Sequence, residues 1–170
     1  MFRESTPAPG RRRLALSAGA LALTALLGCP MQTQEPDPEP EPEPIFPANY
    51  RDTYTEVRDC RNSTEHGATI RVWVNDVGAA AYRADENPLP VGTIVVKEEF
   101  VGADCGDDDD LMFWSVMRKE APGFDAADAD WRFQEVGAPN RNVRLDNKVT
   151  CIDCHREPDC VARDYMCTEP

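Results

Sequence analysis

The sequence predicts an α+β domain, mainly antiparallel β-sheet with a few short helices, that ends in a cysteine-bearing C-terminal segment. Three observations predict it. Residues 69–75 alternate, with Ile70, Val72 and Val74 on one face and Thr69, Arg71 and Trp73 on the other, the period of a strand with one buried face. Residues 93–101 form a second run rich in β-branched side chains, which pack well on a pleated surface. Turn-forming clusters punctuate the chain at Pro88-Leu89-Pro90-Val91-Gly92, at 102–110 and at Pro122-Gly123, leaving little room for long helices.

The remaining elements follow in order. Residues 51–59 are expected to form an N-terminal helix. Residues 102–110 read as an acidic loop and 111–119 as a third strand. Residues 126–130 can hold a helical turn, and 131–136 a fourth short strand. No internal repeat interrupts this pattern.

Upstream of the domain the chain reads as export machinery. Arg11, Arg12 and Arg13 precede an uncharged run from 14 to 27, too short to span a bilayer comfortably but suited to a signal peptide. It closes in Leu26-Leu27-Gly28-Cys29, which resembles a bacterial lipobox, so residues 1–28 are expected to be removed and Cys29 acylated. Residues 29–47 then form a tether in which acid alternates with proline from Glu35 to Pro44. Such a stretch has nothing to bury and favours extended polyproline II. At about 3.1 Å per residue it reaches at most about 55 Å. The folded domain is expected over 48–170, in the bacterial cell envelope, lipid-anchored and facing the periplasm or exterior.

Residues 1–28 carry four arginines and one glutamate, so their removal takes the formal charge from −13 to about −16. That balance argues against nucleic acid and against an anionic membrane surface as direct partners, while permitting a basic redox protein partner. The run Asp107-Asp108-Asp109-Asp110 lacks the spacing that wraps a calcium ion and reads as a solvated loop.

Seven cysteines are an awkward number for an exported protein. Cys151-Ile152-Asp153-Cys154-His155 is Cys-x-x-Cys-His. Two thiols at this spacing can add to the two vinyl groups on one edge of a porphyrin, and the next residue reaches the iron. The expected cofactor is one covalent haem c, held by Cys151 and Cys154 with His155 as iron ligand. The competing chemistries are zinc, which would draw on Cys160 or Cys167 as well, and a thioredoxin-like dithiol, which lacks its βαβ context. With Cys29 lipidated, Cys60, Cys105, Cys160 and Cys167 are left for disulfides. Four cysteines allow three connectivities; Cys60–Cys105 with Cys160–Cys167 is favoured because the second pair is close in the chain. Candidates for a sixth iron ligand are His66, Met112, Met117 and Met166. Each also reads as a turn or core residue, which favours five-coordinate iron or a weakly held water.

The ordered series Tyr50-Arg51, His66-Gly67, Arg71-Val72-Trp73-Val74-Asn75-Asp76, Pro90-Val91-Gly92-Thr93-Ile94-Val95-Val96-Lys97-Glu98, Val116-Met117-Arg118-Lys119, Pro122-Gly123-Phe124-Asp125, Asp130-Trp131 and Cys151 to His155 resembles the cytochrome P-460 family, which includes the cytochromes c-prime-beta. The resemblance implies a mainly antiparallel β fold, a homodimer and five-coordinate haem. It also implies binding of small nitrogen ligands such as nitric oxide, or oxidation of hydroxylamine. In catalytic members a lysine is bonded to the porphyrin; the resemblance sets that lysine at Val77 here, and does not assign Lys97, Lys119 or Lys148 to it. It further implies distal residues near the fourth strand, with Phe133 or Gln134 over the iron and Glu135 as a candidate proton acceptor.

Overall fold

The computed structural model describes residues 40–106, 108–147 and 149–167. The expected leader, Cys29, residues 30–39 of the tether, Asp107 and Lys148 lie outside the described residues. Strands β1 (Thr55–Ser63), β2 (Ala68–Val74), β3 (Ile94–Phe100), β4 (Leu111–Lys119), β5 (Trp131–Gly137) and β6 (Asn142–Asp146) form one antiparallel sheet in chain order. Short helices surround it: α1 (Tyr50–Thr53), α2 (Ala79–Arg83), α3 (Val149–His155) and α4 (Pro158–Val161). The fold is therefore α+β and mainly antiparallel β.

Strands β2 to β5 form where alternation and β-branching point. The expected helix over 51–59 does not. Helix α1 ends at Thr53, and from Thr55 the chain pairs with β2, Thr55 opposite Val74 and Ser63 opposite Ala68. β-branched Thr53, Thr55 and Val57 are poor helix formers, and the free edge of β2 offers backbone partners that an isolated short helix cannot match. The Cys60–Cys105 disulfide ties this edge strand to the loop after β3. Strand β6 and helices α2 to α4 carry no comparable signal. Strand β6 lies half exposed at the opposite edge and bears Arg144 and Asp146, charges that discourage pairing with another chain.

The register sorts side chains into two faces. Val72, Lys97, Ser115, Glu135 and Leu145 make one cross-strand row, and Val74, Val95, Met117 and Phe133 make the next. This face is covered by the C-terminal segment, whose Ile152, Tyr165 and Met166 join the core with Tyr82 of α2 and Leu89. The opposite face presents Val96, Val116, Trp114 and Val136 to Phe46 and Tyr50. Phe46 is 3% exposed. The Arg141 guanidinium lies over its ring and donates to its carbonyl at 2.6 Å. The domain thus starts before Ala48: the end of the expected tether is a packed strap, because Ile45 and Phe46 supply apolar surface that the Pro/Glu run lacks.

On the strap face one carboxylate organises its surroundings. Glu98 is fully buried and accepts from the Tyr50 hydroxyl, from Arg51 Nε at 2.5 Å and from Arg71 Nε at 2.7 Å. Trp114 Nε1 donates to the Tyr50 oxygen at 2.9 Å. Burial and the adjacent Glu98 charge push the Tyr50 phenol well above its usual range, keeping it a donor. Removing one member of such a set leaves buried charge without compensation. Glu98→Ala is expected to lower stability by about 3–5 kcal/mol, read as a lower urea midpoint with unchanged slope.

Candidate functional site

Helix α3 places Cys151, Cys154 and His155 at positions i, i+3 and i+4, which share one face. Ile152, 5% exposed, anchors the helix in the core. Arg156 fastens its end by donating from Nε and NH2 to the buried carboxylate of Asp128, at 2.7 and 3.0 Å. Cys151 and Cys154 are thiols, whereas Cys60–Cys105 and Cys160–Cys167 are disulfides. The second bridge removes the further thiolate that a zinc site here would need.

All three motif residues line a cavity of about 380 Å³ between the sheet and the C-terminal segment, within the range of sites that hold a cofactor. His155 Nδ1 is 2.6 Å from the Tyr165 carbonyl oxygen. A carbonyl can only accept, so Nδ1 carries the proton and Nε2 keeps its lone pair. Burial holds the imidazole pKa below its ordinary value, favouring the neutral ring that a metal requires. Two thiols on one helix face, a neutral imidazole with a fixed tautomer and a largely apolar cavity together fit a haem.

The other expected residues are distributed unevenly. Phe133 lines the cavity and packs edge-on against the His155 ring, centroids 5.4 Å apart. The Gln134 amide is engaged on the strap face. Its Oε1 accepts from Ile45 N and its Nε2 donates to the Glu43 carbonyl, both at 3.0 Å, because strand alternation sends it to the strap face. Glu135 borders the cavity, with Arg144 NH1 at 3.8 Å. Met117 and Met166 border it as core residues, and Met112 packs against that core. Asp108 accepts from Arg51 at 2.7 Å in the acidic loop.

The sheet wall carries a polar cluster that motif reading missed. Lys97 Nζ lies 2.6 and 2.8 Å from the two His66 ring nitrogens and 3.2 Å from Glu99 Oε1. Ser115 Oγ donates to the same Glu99 oxygen at 2.5 Å. Glu99 is 1% exposed. Burial lowers the Lys97 pKa, opposed by Glu99 and Cys151. Burial and then Lys97 lower that of His66. The signal was present in the strand itself: Lys97 and Glu99 lie two apart on the same face as Val95, so a strand buried on both faces must bury them. Val77, the position expected to replace a crosslinking lysine, is half exposed after β2, and the cavity lining does not include it. Among the described residues the amine at the cavity is Lys97. Lys119 is buried elsewhere against Asp164.

A family model described as Cytochrome P-460 matches residues 47–168. No curated protein matches the chain.

Lys97→Met is expected to raise the His66 pKa, since a neighbouring positive charge that opposes ring protonation is lost. NMR titration of the histidine ring reads this directly. In the native protein the His66 contribution to stability is complete above its unfolded value of 6.5 and declines as pH falls below it, because the folded ring prefers to stay neutral.

Proposed function

The chain belongs to the cytochrome P-460 family, and from that premise we propose that it is an exported, lipid-anchored c-type cytochrome that binds small nitrogen ligands such as nitric oxide at one covalently held haem. The observation that carries this reading is the joint placement of Cys151, Cys154 and His155 on the cavity, with His155 Nδ1 occupied by Tyr165. Family membership implies the haem. Its covalent attachment is inferred from the two thiols beside the ligand imidazole.

When bound, the haem would supply a redox-active iron. The chain's own residues do the rest. Cys151 and Cys154 would hold the ring to α3 by adding their thiols across its two vinyl groups. His155 offers Nε2 to the metal, and Phe133 holds the imidazole plane. Ile70, Val72 and Val95 give the cavity an apolar part that suits an uncharged diatomic ligand, whose binding needs no proton transfer.

A second reading is oxidation of hydroxylamine, and the Lys97–His66–Glu99 cluster favours it. Removing protons from a bound nitrogen substrate calls for a base within reach, and a positioned base contributes about 10²–10⁴-fold. The Lys97 amine, with its depressed pKa, lines the cavity; a C–N bond from it to a porphyrin edge would replace one N–H and one C–H, releasing two protons and passing two electrons to an oxidant such as peroxide.

Three outcomes test these readings. Haem is expected to stay with the chain through acid-acetone extraction, and Cys151→Ala or Cys154→Ala to leave at most one thioether; release of free haem from the native protein would overturn the covalent reading. Mass spectrometry of the haem peptide, beside steady-state hydroxylamine oxidation, separates the two activities. Two thioethers with nitric oxide binding and negligible turnover support the first, whereas a Lys97 peptide bonded to the porphyrin with robust turnover establishes the second. Cys29→Ser is expected to release the protein from membranes with an unchanged absorption spectrum, and continued membrane association would refute the lipid anchor.

A further inference from the structure

We propose that the buried ion pair between Lys119 and Asp164 is a positioning device for His155: it holds the Asp164–Tyr165 backbone in the conformation that turns the Tyr165 carbonyl onto the imidazole Nδ1–H. The proposal rests on His155 being the iron ligand.

The acceptor for the ligand imidazole is a main-chain carbonyl, so its direction depends on the local backbone. That backbone is unusual. Asp164 and Tyr165 are consecutive non-glycine residues with φ of 50° and 70°, a left-handed pair that the chain does not adopt without support. The support is visible around Asp164. Lys119 Nζ donates to both carboxylate oxygens, at 2.6 and 2.9 Å, and the Leu89 N–H donates to Oδ2 at 2.8 Å. The two side chains are 9% and 5% exposed. Lys119 Nζ also sits 4.9 Å from the centroid of the buried Trp131 ring, a cation–π contact that steadies the ammonium away from water.

Lys119 is a rigid base for this contact. It ends β4, with its N–H donating to the Thr93 carbonyl at 2.9 Å and its carbonyl accepting from Gly92 N at 2.8 Å. The far side of the segment is fastened too. Tyr165 N donates to the Cys160 carbonyl at 2.7 Å, the Tyr165 hydroxyl donates to the Ala127 carbonyl at 3.0 Å, and Cys160–Cys167 closes the segment covalently. The sheet therefore reaches the iron ligand by an unbroken series: Lys119, the Asp164 carboxylate, the left-handed turn, the Tyr165 carbonyl, His155.

Anchorage alone does not require charges here. An apolar pair of similar volume would pin the segment without the cost of desolvating two ions. Two fixed hydrogen-bond donors on one carboxylate do what apolar contact cannot, which is to define the rotation of the turn. A well-aimed acceptor on Nδ1–H makes the imidazole a stronger electron donor to the metal. Loss of that aim should weaken the iron–histidine bond and favour the reduced state.

The test uses the haem-loaded protein and reads resonance Raman of the ferrous form together with the reduction potential. Lys119→Met/Asp164→Ala removes the pair without stranding a charge. It is expected to lower the iron–histidine stretching frequency and raise the potential. Arg163→Gln breaks a different tie of the same segment, to Asp85, and is expected to shift neither. Lys119→Arg is the milder second variant, keeping the charge but displacing it, and should give shifts of the same sign and smaller size. Unchanged frequency and potential in Lys119→Arg and the double variant, at native haem content, would overturn the proposal. So would equal shifts in Arg163→Gln, which would reduce the pair to general anchorage. A His155→Gly variant that keeps the native haem absorption spectrum and reduction potential would instead overturn the ligand assignment on which the proposal stands.

Discussion

A meander of six strands that never closes on itself has two faces to cover, and this chain covers each with one of its ends. The strap at 45–50 takes one face and the segment after β6 takes the other. Neither end pairs with the sheet as a strand. Both are held by side chains, and the arrangement of those side chains decides where chemistry can occur. The strap face is filled by aromatic rings around Glu98. The other face keeps a gap, because α3 sets two thiols and an imidazole along the cavity, Cys154 at its exposed rim, where apolar side chains would otherwise complete the packing.

Buried charge is handled differently on the two faces. Glu98 has three side-chain donors converging on it and no access to the cavity. Glu99, its neighbour in sequence, points the other way and shares its surroundings with Lys97, His66 and Ser115 at the cavity wall. The first arrangement is saturated and serves structure. The second leaves groups that exchange protons beside a space for a ligand, which is where perturbed ionisation carries functional meaning.

How much of this could be read from the chain depends on the range of the interaction. Cys151, Cys154 and His155 were legible as a group because they lie within five residues, a spacing that one helix brings to one face. Strands β2 to β5 were legible because burial imposes a period of two. Edge strands β1 and β6 are exposed on much of their length, so burial imposes no pattern, and residues 51–59 resemble a helix as much as a strand. The disulfide partners followed from elimination and proximity, and both bridges are present. The sheet wall of the cavity was not legible as a site, because Lys97, Ser115 and Glu135 become neighbours only through cross-strand register. The same register sends Gln134 to the strap and Phe133 to the cavity beside His155, a one-residue distinction that motif alignment does not resolve.

The sequential strand order also bears on how the molecule assembles in time. Each strand pairs with the one before it, so the sheet can grow by successive hairpins whose contacts are local, the kind of topology that reaches its native form quickly. The contacts that cover it are not local: Gln134 meets Ile45 across 89 residues, and Lys119 meets Asp164 across 45. On contact-order grounds the sheet is expected first and its two coverings later. An early intermediate would then hold a formed platform with the cysteine-bearing helix still detached. In that interval Cys151 and Cys154 would stand open to solvent, and docking of the segment afterwards brings both to the cavity and half-buries Cys151.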